Sequence, residues 1–158
     1  MDYVVMDSPV GPLTIGADSE FLHSITFGRE TLQGRIASDN PVLAEVVRQL
    51  QSYFSGRLRR FDLPLKPDGT PFQLEVWHEL EKIPYGETIS YGALACRIGK
   101  PKAARAVGAA NHSNPIPIVI PCHRVIGSDG KMVGYGGGLP IKEALLKLER
   151  LALAQAAV

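Results

Sequence analysis

Ser90-Tyr91-Gly92-Ala93-Leu94-Ala95-Cys96-Arg97-Ile98-Gly99-Lys100-Pro101-Lys102-Ala103-Ala104-Arg105-Ala106-Val107-Gly108-Ala109-Ala110-Asn111 is the stretch on which the fold of the second half of the chain turns. Ser90 carries a side-chain oxygen of the kind that caps a helix, and the residues behind it predict a helix from Tyr91 to Ile98. Gly99-Lys100-Pro101 then stops that helix, and a second is predicted from Lys102 to about Ala110. Short helix, glycine-containing turn and second helix is helix-turn-helix spacing. The second helix is almost wholly Ala and Gly, so it lacks the long polar side chains that read base edges. Arg105 is the one long cation in its middle. So slim a helix can approach a nucleic-acid backbone or a narrow groove closely, or it can simply pack tightly against another helix. Both readings stay open on these residues alone.

Downstream lies Ile118-Val119-Ile120-Pro121-Cys122-His123-Arg124-Val125. A thiol attacks as the thiolate, and with an ordinary pKa of about 8.5 it needs a proton acceptor and cations beside it to do so at neutral pH. His123 and Arg124 offer both within two residues, so Cys122 reads as an activated thiol; a buried structural cysteine at a strand end is the alternative. Gly127-Ser128-Asp129-Gly130 follows as a hairpin-type turn. Gly134-Tyr135-Gly136-Gly137-Gly138 is a loop whose backbone amides can come close to a ligand. That loop lacks the flanking strand, helix and distant acid of a dinucleotide fingerprint. Pro140 to Leu153 then predicts a helix with Ile141, Leu145, Leu148 and Leu151 on one stripe. Glu149 stands amid those apolar residues, which calls for a buried partner.

Upstream, Pro64-Leu65-Lys66-Pro67-Asp68-Gly69-Thr70-Pro71 interrupts any regular element and marks the boundary, giving domains at 1–68 and 69–158. The first 28 residues alternate apolar and polar positions between turn signals and predict two or three antiparallel strands. Asn40-Pro41 opens a helix through Val42 to Phe54, and Leu58 to Leu65 could add a further strand. Thr70 and Pro71 look like the cap and first turn of a helix reaching Leu80 or Lys82, with Phe72, Leu74, Val76, Trp77 and Leu80 as core. Ile83-Pro84-Tyr85-Gly86 breaks it.

The chain has 158 residues, 45% hydrophobic and 21% charged, which is the composition of an ordered globular protein. No apolar run is long enough to span a membrane, and Met1-Asp2-Tyr3 does not begin a secretory signal, so a cytoplasmic location with no membrane partner is expected. Two cysteines, Cys96 and Cys122, are too few for a disulfide framework or a four-cysteine zinc site. Cys96 reads as a packing residue. The four histidines show no metal-ligand spacing, so no metal and no cofactor are expected. Net charge is +1, unevenly spread: residues 86–131 hold six Lys/Arg against two Asp/Glu, the footprint a polyanion would need, although solvated surface charge explains it too.

Together Pro-Cys-His-Arg-Val, the Ser90-Tyr91-Gly-Ala-Leu-Ala and Ala104-Arg105-Ala-Val-Gly runs, Asn114-Pro115-Ile-Pro-Ile, Gly-Tyr-Gly-Gly-Gly and Lys142-Glu-Ala-Leu-Leu-Lys-Leu-Glu149 resemble the O6-alkylguanine-DNA alkyltransferases, densely from Gly69 to Glu149. The resemblance implies an α+β fold. A small, RNase H-like antiparallel sheet with a helix would precede a mostly helical, winged helix-turn-helix domain that binds DNA and carries the chemistry. It implies repair of double-stranded DNA containing O6-alkylguanine, bound through the minor groove, with the alkyl group moved irreversibly to Cys122. A monomer is expected, with cooperative binding along DNA left open. By the same resemblance His123 takes the thiol proton through a water and Glu149 holds the histidine. Tyr135 would donate toward the purine, while the Gly136 amide and the carbonyls of Cys122 and Val125 grip the base edge. Asn114 would tie the second helix to the cysteine loop. Tyr91 would press on the phosphate beside the lesion and Arg105 would fill the vacated stack, with Lys102, Ala104 and Arg124 as further DNA contacts.

Two departures stand out. Some members carry serine where Gly136 stands, and some bind zinc through N-terminal cysteines absent here. Three other readings compete. A non-catalytic lesion-binding relative would usually lack the cysteine. A cysteine hydrolase would turn over, whereas a thioether is stable to water. A plain helix-turn-helix regulator would need polar readers on 102–111.

Overall fold

The computed structural model describes residues 1–31, 34–36, 39–130, 135 and 137–156. The chain divides into two compact units, Met1–Asp68 and Gly69–Val158.

In the first unit, β1 (Asp2–Met6), β2 (Leu13–Ala17) and β3 (Leu22–Phe27) form an antiparallel meander. Ser8 closes the first turn, its carbonyl accepting from Gly11 N at 3.0 Å. Asp18 closes the second, its Oδ1 accepting from Glu20 N and Phe21 N. A two-residue strand, β4 (Arg35–Ile36), lies parallel to β1 and makes the sheet order β3-β2-β1-β4; the alternation pattern gave no sign of it. Helix α1 (Pro41–Phe54) packs on this sheet with Leu43, Val46, Leu50 and Tyr53 buried. Asn40 caps it: Oδ1 accepts from Val42 N and Leu43 N, while Nδ2 donates to Asp2 Oδ2 and the Asp18 carbonyl. One side chain thus starts the helix and fastens it to β1 and to the β2–β3 turn.

The further strand expected over Leu58–Leu65 is reduced to a single bridge, Leu22 to Leu65. The segment's backbone bonds go elsewhere. Gln49 takes both backbone groups of Asp62, and Pro64 has no N–H to give.

In the second unit, α2 (Pro71–Leu80) starts on a full capping box, Thr70 with Gln73. β5 (Ile89–Ser90), α3 (Tyr91–Arg97), α4 (Ala104–His112), a 3₁₀ turn at Cys122–Arg124, β6 (Val125–Ile126) and α5 (Leu139–Ala156) follow. Ser90 Oγ accepts from Ala93 N and caps α3. The second helix of the pair starts at Ala104 rather than Lys102, because Ala103 N bonds Lys100 O and spends those residues on the turn. β5 and β6, too short to announce themselves, pair in parallel and carry the start of α3 beside the end of the cysteine turn.

Val76, Trp77, Leu80, Leu94, Val107, Ala110, Ile116 and Leu145 form the core. Three packing expectations are corrected. Leu74 is 40% exposed and Leu151 51% exposed. Cys96 lies at the surface of α3 rather than in the packing. On α5 the buried line runs Lys142, Leu145, Leu146, Glu149, Ala152, so two charged residues sit where an apolar stripe was expected. Among the described residues no helix is long and apolar enough to cross a membrane, and no group of three or more His, Cys, Asp or Glu could hold a metal ion.

Candidate active site

The segment between α4 and β6 is built from tight turns that aim the cysteine. Val119 N donates to Pro117 O at 2.9 Å, closing a γ-turn across Ile118, whose φ is 74°. That left-handed value is unusual for a β-branched side chain, and Ile118 is held in it by near-total burial. Pro121, at φ −80° and ψ 65°, forms an inverse γ-turn in which Cys122 N donates to Ile120 O at 2.8 Å. Proline before cysteine therefore has a mechanical reason: its ring presets the turn. Asn114 braces the loop from within, Nδ2 donating to Ile120 O at 2.8 Å and Oδ1 accepting from Ile116 N at 3.0 Å. It also favours the charged form of the Cys122 thiol.

Cys122 is buried, as are His123 and Glu149. His123 Nε2 lies 2.6 Å from Glu149 Oε2. Burial works against the Glu149 carboxylate, but the hydrogen bonds and charges of His123 and Arg124 outweigh it and hold the group down at about 2. An ionised carboxylate only accepts, so Nε2 carries the ring proton. Burial above all holds His123 below the usual imidazole range, against the pull of Glu149. The ring is then neutral, with a bare Nδ1 that has no hydrogen-bond partner among the described residues. An imidazole in that state can accept a proton at Nδ1.

The thiol is not a standing thiolate. Burial pushes Cys122 up, while Asn114, Tyr135 and the Lys142 ammonium pull the other way. Its proton has to be taken as it attacks, which makes a neighbouring base a requirement.

Arg124, expected to contact DNA, is turned inward. It is buried, with Nε 2.9 Å from Glu149 Oε1, Nη2 3.1 Å from Oε2 and Nη1 2.7 Å from the Ile83 carbonyl. Its guanidinium also faces the Tyr85 ring at 5.6 Å. With three nitrogens committed inside the unit it has no reach to a phosphate.

The remaining expected residues fall into two groups. Tyr135 is buried and lies close enough to Cys122 to favour the charged form of the thiol. Cys122 O already accepts from Val125 N and from Asn111 Nδ2, the latter at 3.3 Å, and Val125 O accepts from Lys142 Nζ at 2.6 Å. Of the two carbonyls expected to grip a base, Cys122 O thus has two donors of its own among the described residues. Gly136 and Gly134 lie outside the described residues. Arg105 and Lys102 are exposed, and Ala104 is half-buried at the first turn of α4. Tyr91 is half-buried: its ring packs 3.7 Å from where a Gly108 side chain would start, and Lys142 Nζ lies 6.0 Å from its centroid.

Three contributors escaped the sequence reading. Asn111 carries the Cys122 carbonyl on the last turn of α4. Lys142 is fully buried yet placed to act on both the thiol and Val125 O. Gly86, read only as a helix breaker, donates its N–H to Glu149 Oε1 at 2.9 Å from a φ of +79°, a conformation that favours glycine. Lys142 and Glu149, seven positions apart on α5, carried a signal: two charges on one helical face that also bears leucines.

Profile comparison matches residues 1–67 to the 6-O-methylguanine DNA methyltransferase, ribonuclease-like domain, and residues 71–151 to the 6-O-methylguanine DNA methyltransferase, DNA binding domain. The methylated-DNA–protein-cysteine methyltransferase of Methanosarcina acetivorans is 49% identical over 153 residues, covering 94% of this chain and 98% of that protein. Its counterpart in Mycobacterium tuberculosis is 48% identical over 151 residues, covering 94% and 92%. The crystal structure of M. tuberculosis OGT in complex with DNA matches with a TM-score of 0.89 at 48% identity, covering 96% of this chain and 94% of that one.

Proposed function

Because the chain belongs to the 6-O-methylguanine DNA methyltransferase family, we propose that Cys122 is the residue that takes the alkyl group and that unit Gly69–Val158 carries the whole reaction. The protein is a DNA-repair methyltransferase that transfers an alkyl group from DNA to a protein cysteine. Its substrate is O6-alkylguanine in a duplex, approached from the minor groove and flipped out of the stack.

The observation that carries this assignment is an imidazole with a bare Nδ1, held by an ionised carboxylate, on the residue next to a buried thiol. His123 takes the thiol proton, through one water, as sulfur attacks the saturated carbon on O6. The S–C bond forms, the C–O6 bond breaks, and guanine regains the proton that the thiol lost. Tyr135, beside Cys122, donates toward the purine as the bond breaks. A thioether at saturated carbon is stable to water, so the alkyl group stays on sulfur and each molecule acts once.

Arg105, exposed in the first turn of a helix of small residues, enters the space the flipped guanine leaves. Lys102 and the N-terminal turn of α4 at Ala104 meet the backbone, and Tyr91 meets the phosphate beside the lesion.

The test is intact-protein mass after incubation with excess duplex DNA bearing one O6-methylguanine, for the wild type and Cys122→Ala. One methyl in place of hydrogen on Cys122, with guanine restored in equal amount and no turnover, is expected. DNA binding with no adduct would make the protein a lesion sensor and overturn the assignment.

A further inference from the structure

Building on that alkyl-transfer reading, we propose that Arg124 is a positioning residue of the proton relay, which fixes the Glu149 carboxylate and thereby keeps His123 a neutral base with its open nitrogen toward the thiol. The geometry is specific. Glu149 Oε1 accepts from Arg124 Nε and the Gly86 amide, and Oε2 accepts from Arg124 Nη2 and His123 Nε2. Each carboxylate oxygen thus holds two donors, and Arg124 reaches both oxygens. The arginine is fixed in turn by the Ile83 carbonyl and the Tyr85 ring. A forked guanidinium matches the two oxygens of a carboxylate, which an ammonium cannot do.

The electrostatic consequence follows from the same contacts. A buried carboxylate alone would raise the basicity of the imidazole it touches until the ring was charged at rest, and a charged ring cannot take the thiol proton. Arg124 offsets that negative charge. The groups facing His123 are Glu149 and Lys142 from α5, with Arg124 and Cys122 beside it; Glu149 draws the ring toward protonation, and the two cations oppose it.

The experiment is the single-turnover rate of methyl transfer from about pH 5 to about pH 9 for wild type, Arg124→Lys and Arg124→Gln, scaled to the fraction of protein that becomes alkylated. Loss of the positive charge lets His123 hold its proton to higher pH. The acid limb is expected to move up by about one pH unit in Arg124→Gln and less in Arg124→Lys, at unchanged affinity for unmodified DNA. An acid limb that stays put while only the alkylatable fraction falls would reduce Arg124 to packing. Weaker DNA binding with an unchanged rate at saturation would return it to the DNA interface. Either result overturns the proposal.

Nitrogen NMR of the wild type tests it without a variant: at neutral pH the His123 signals are expected to show a protonated Nε2 and a bare Nδ1, and a doubly protonated ring would overturn it. A wild type that takes no methyl at all would bring down the underlying reaction instead, which the mass measurement reports separately.

Discussion

Trp77 donates its indole N–H to the carbonyl of Ala110 across 2.7 Å, inside a fully packed interior, and so ties α2 to the last turn of α4. The last carbonyls of a helix need donors from outside its own ladder, and this one, which also accepts from Ser113 N at 3.2 Å, gains its shorter bond from an anchor in the core. Trp77→Phe removes the donor and part of the ring together. Denaturant unfolding is expected to show a loss of about 2 kcal/mol, since a buried hydrogen bond is lost and a void opens beside a carbonyl left with Ser113 N alone. A change within experimental error would mean that Ser113 N alone satisfies the carbonyl and that the core closes over the void.

Arg105 is predicted to matter to duplex substrates alone. Arg105→Ala should slow transfer from O6-methylguanine in a duplex about tenfold or more, because the vacated stack is no longer filled. Reaction with free O6-benzylguanine, which needs no flipping, should proceed as in wild type. Equal slowing on both substrates would place the defect in the chemistry and refute the role.

Lys142 sits without solvent exposure, donating to Val125 O while its charge favours the Cys122 thiolate. Lys142→Met keeps most of the buried bulk and removes the charge. The midpoint of thiol alkylation by iodoacetamide against pH is expected to rise by about one unit. An unmoved midpoint would show that the ammonium does not act on the sulfur.

Acid should unfold this protein partly through Glu149. Its carboxyl titrates at about 2 when folded against 4.5 unperturbed, so its contribution is complete above about pH 4.5 and disappears as pH falls toward 2. The shift corresponds to about 3 kcal/mol at neutral pH. His123, held low by burial, acts in the same direction from its own unperturbed value of 6.5 downward, because the unfolded ring binds a proton that the folded one refuses. Unfolding free energies at neutral pH and at about pH 3 should therefore diverge more for wild type than for Glu149→Gln. Parallel losses in the two proteins would show that other groups govern acid unfolding.

What the sequence showed plainly was whatever rests on local chemistry. Ser90, Thr70-Pro71 and Asn40-Pro41 start helices through side-chain oxygens within three residues of the groups they satisfy, so those starts were readable. Elements that exist only through distant pairing were not: β4, β5 and β6 have two residues each and no periodicity to display. The same division runs through the site. Cys122 and His123 announce themselves by adjacency, and Glu149 by its misfit on an apolar face. Arg124 was misassigned because an arginine beside a nucleophile in a DNA-binding chain suggests phosphate, whereas its direction is set by Ile83 and Glu149, 41 and 25 positions away. Gly86 reaches Glu149 across 63 positions, and no local pattern records that bond.

Helix α5 is the last described element of the chain, and it brings both Glu149 and Lys142. A ribosome making this protein therefore releases Cys122 and His123 before the Glu149 carboxylate that His123 meets in the fold. The proposed relay can be complete only when translation has passed residue 149 and α5 has docked. Synthesis order acts as a safety catch, set by the position of one carboxylate.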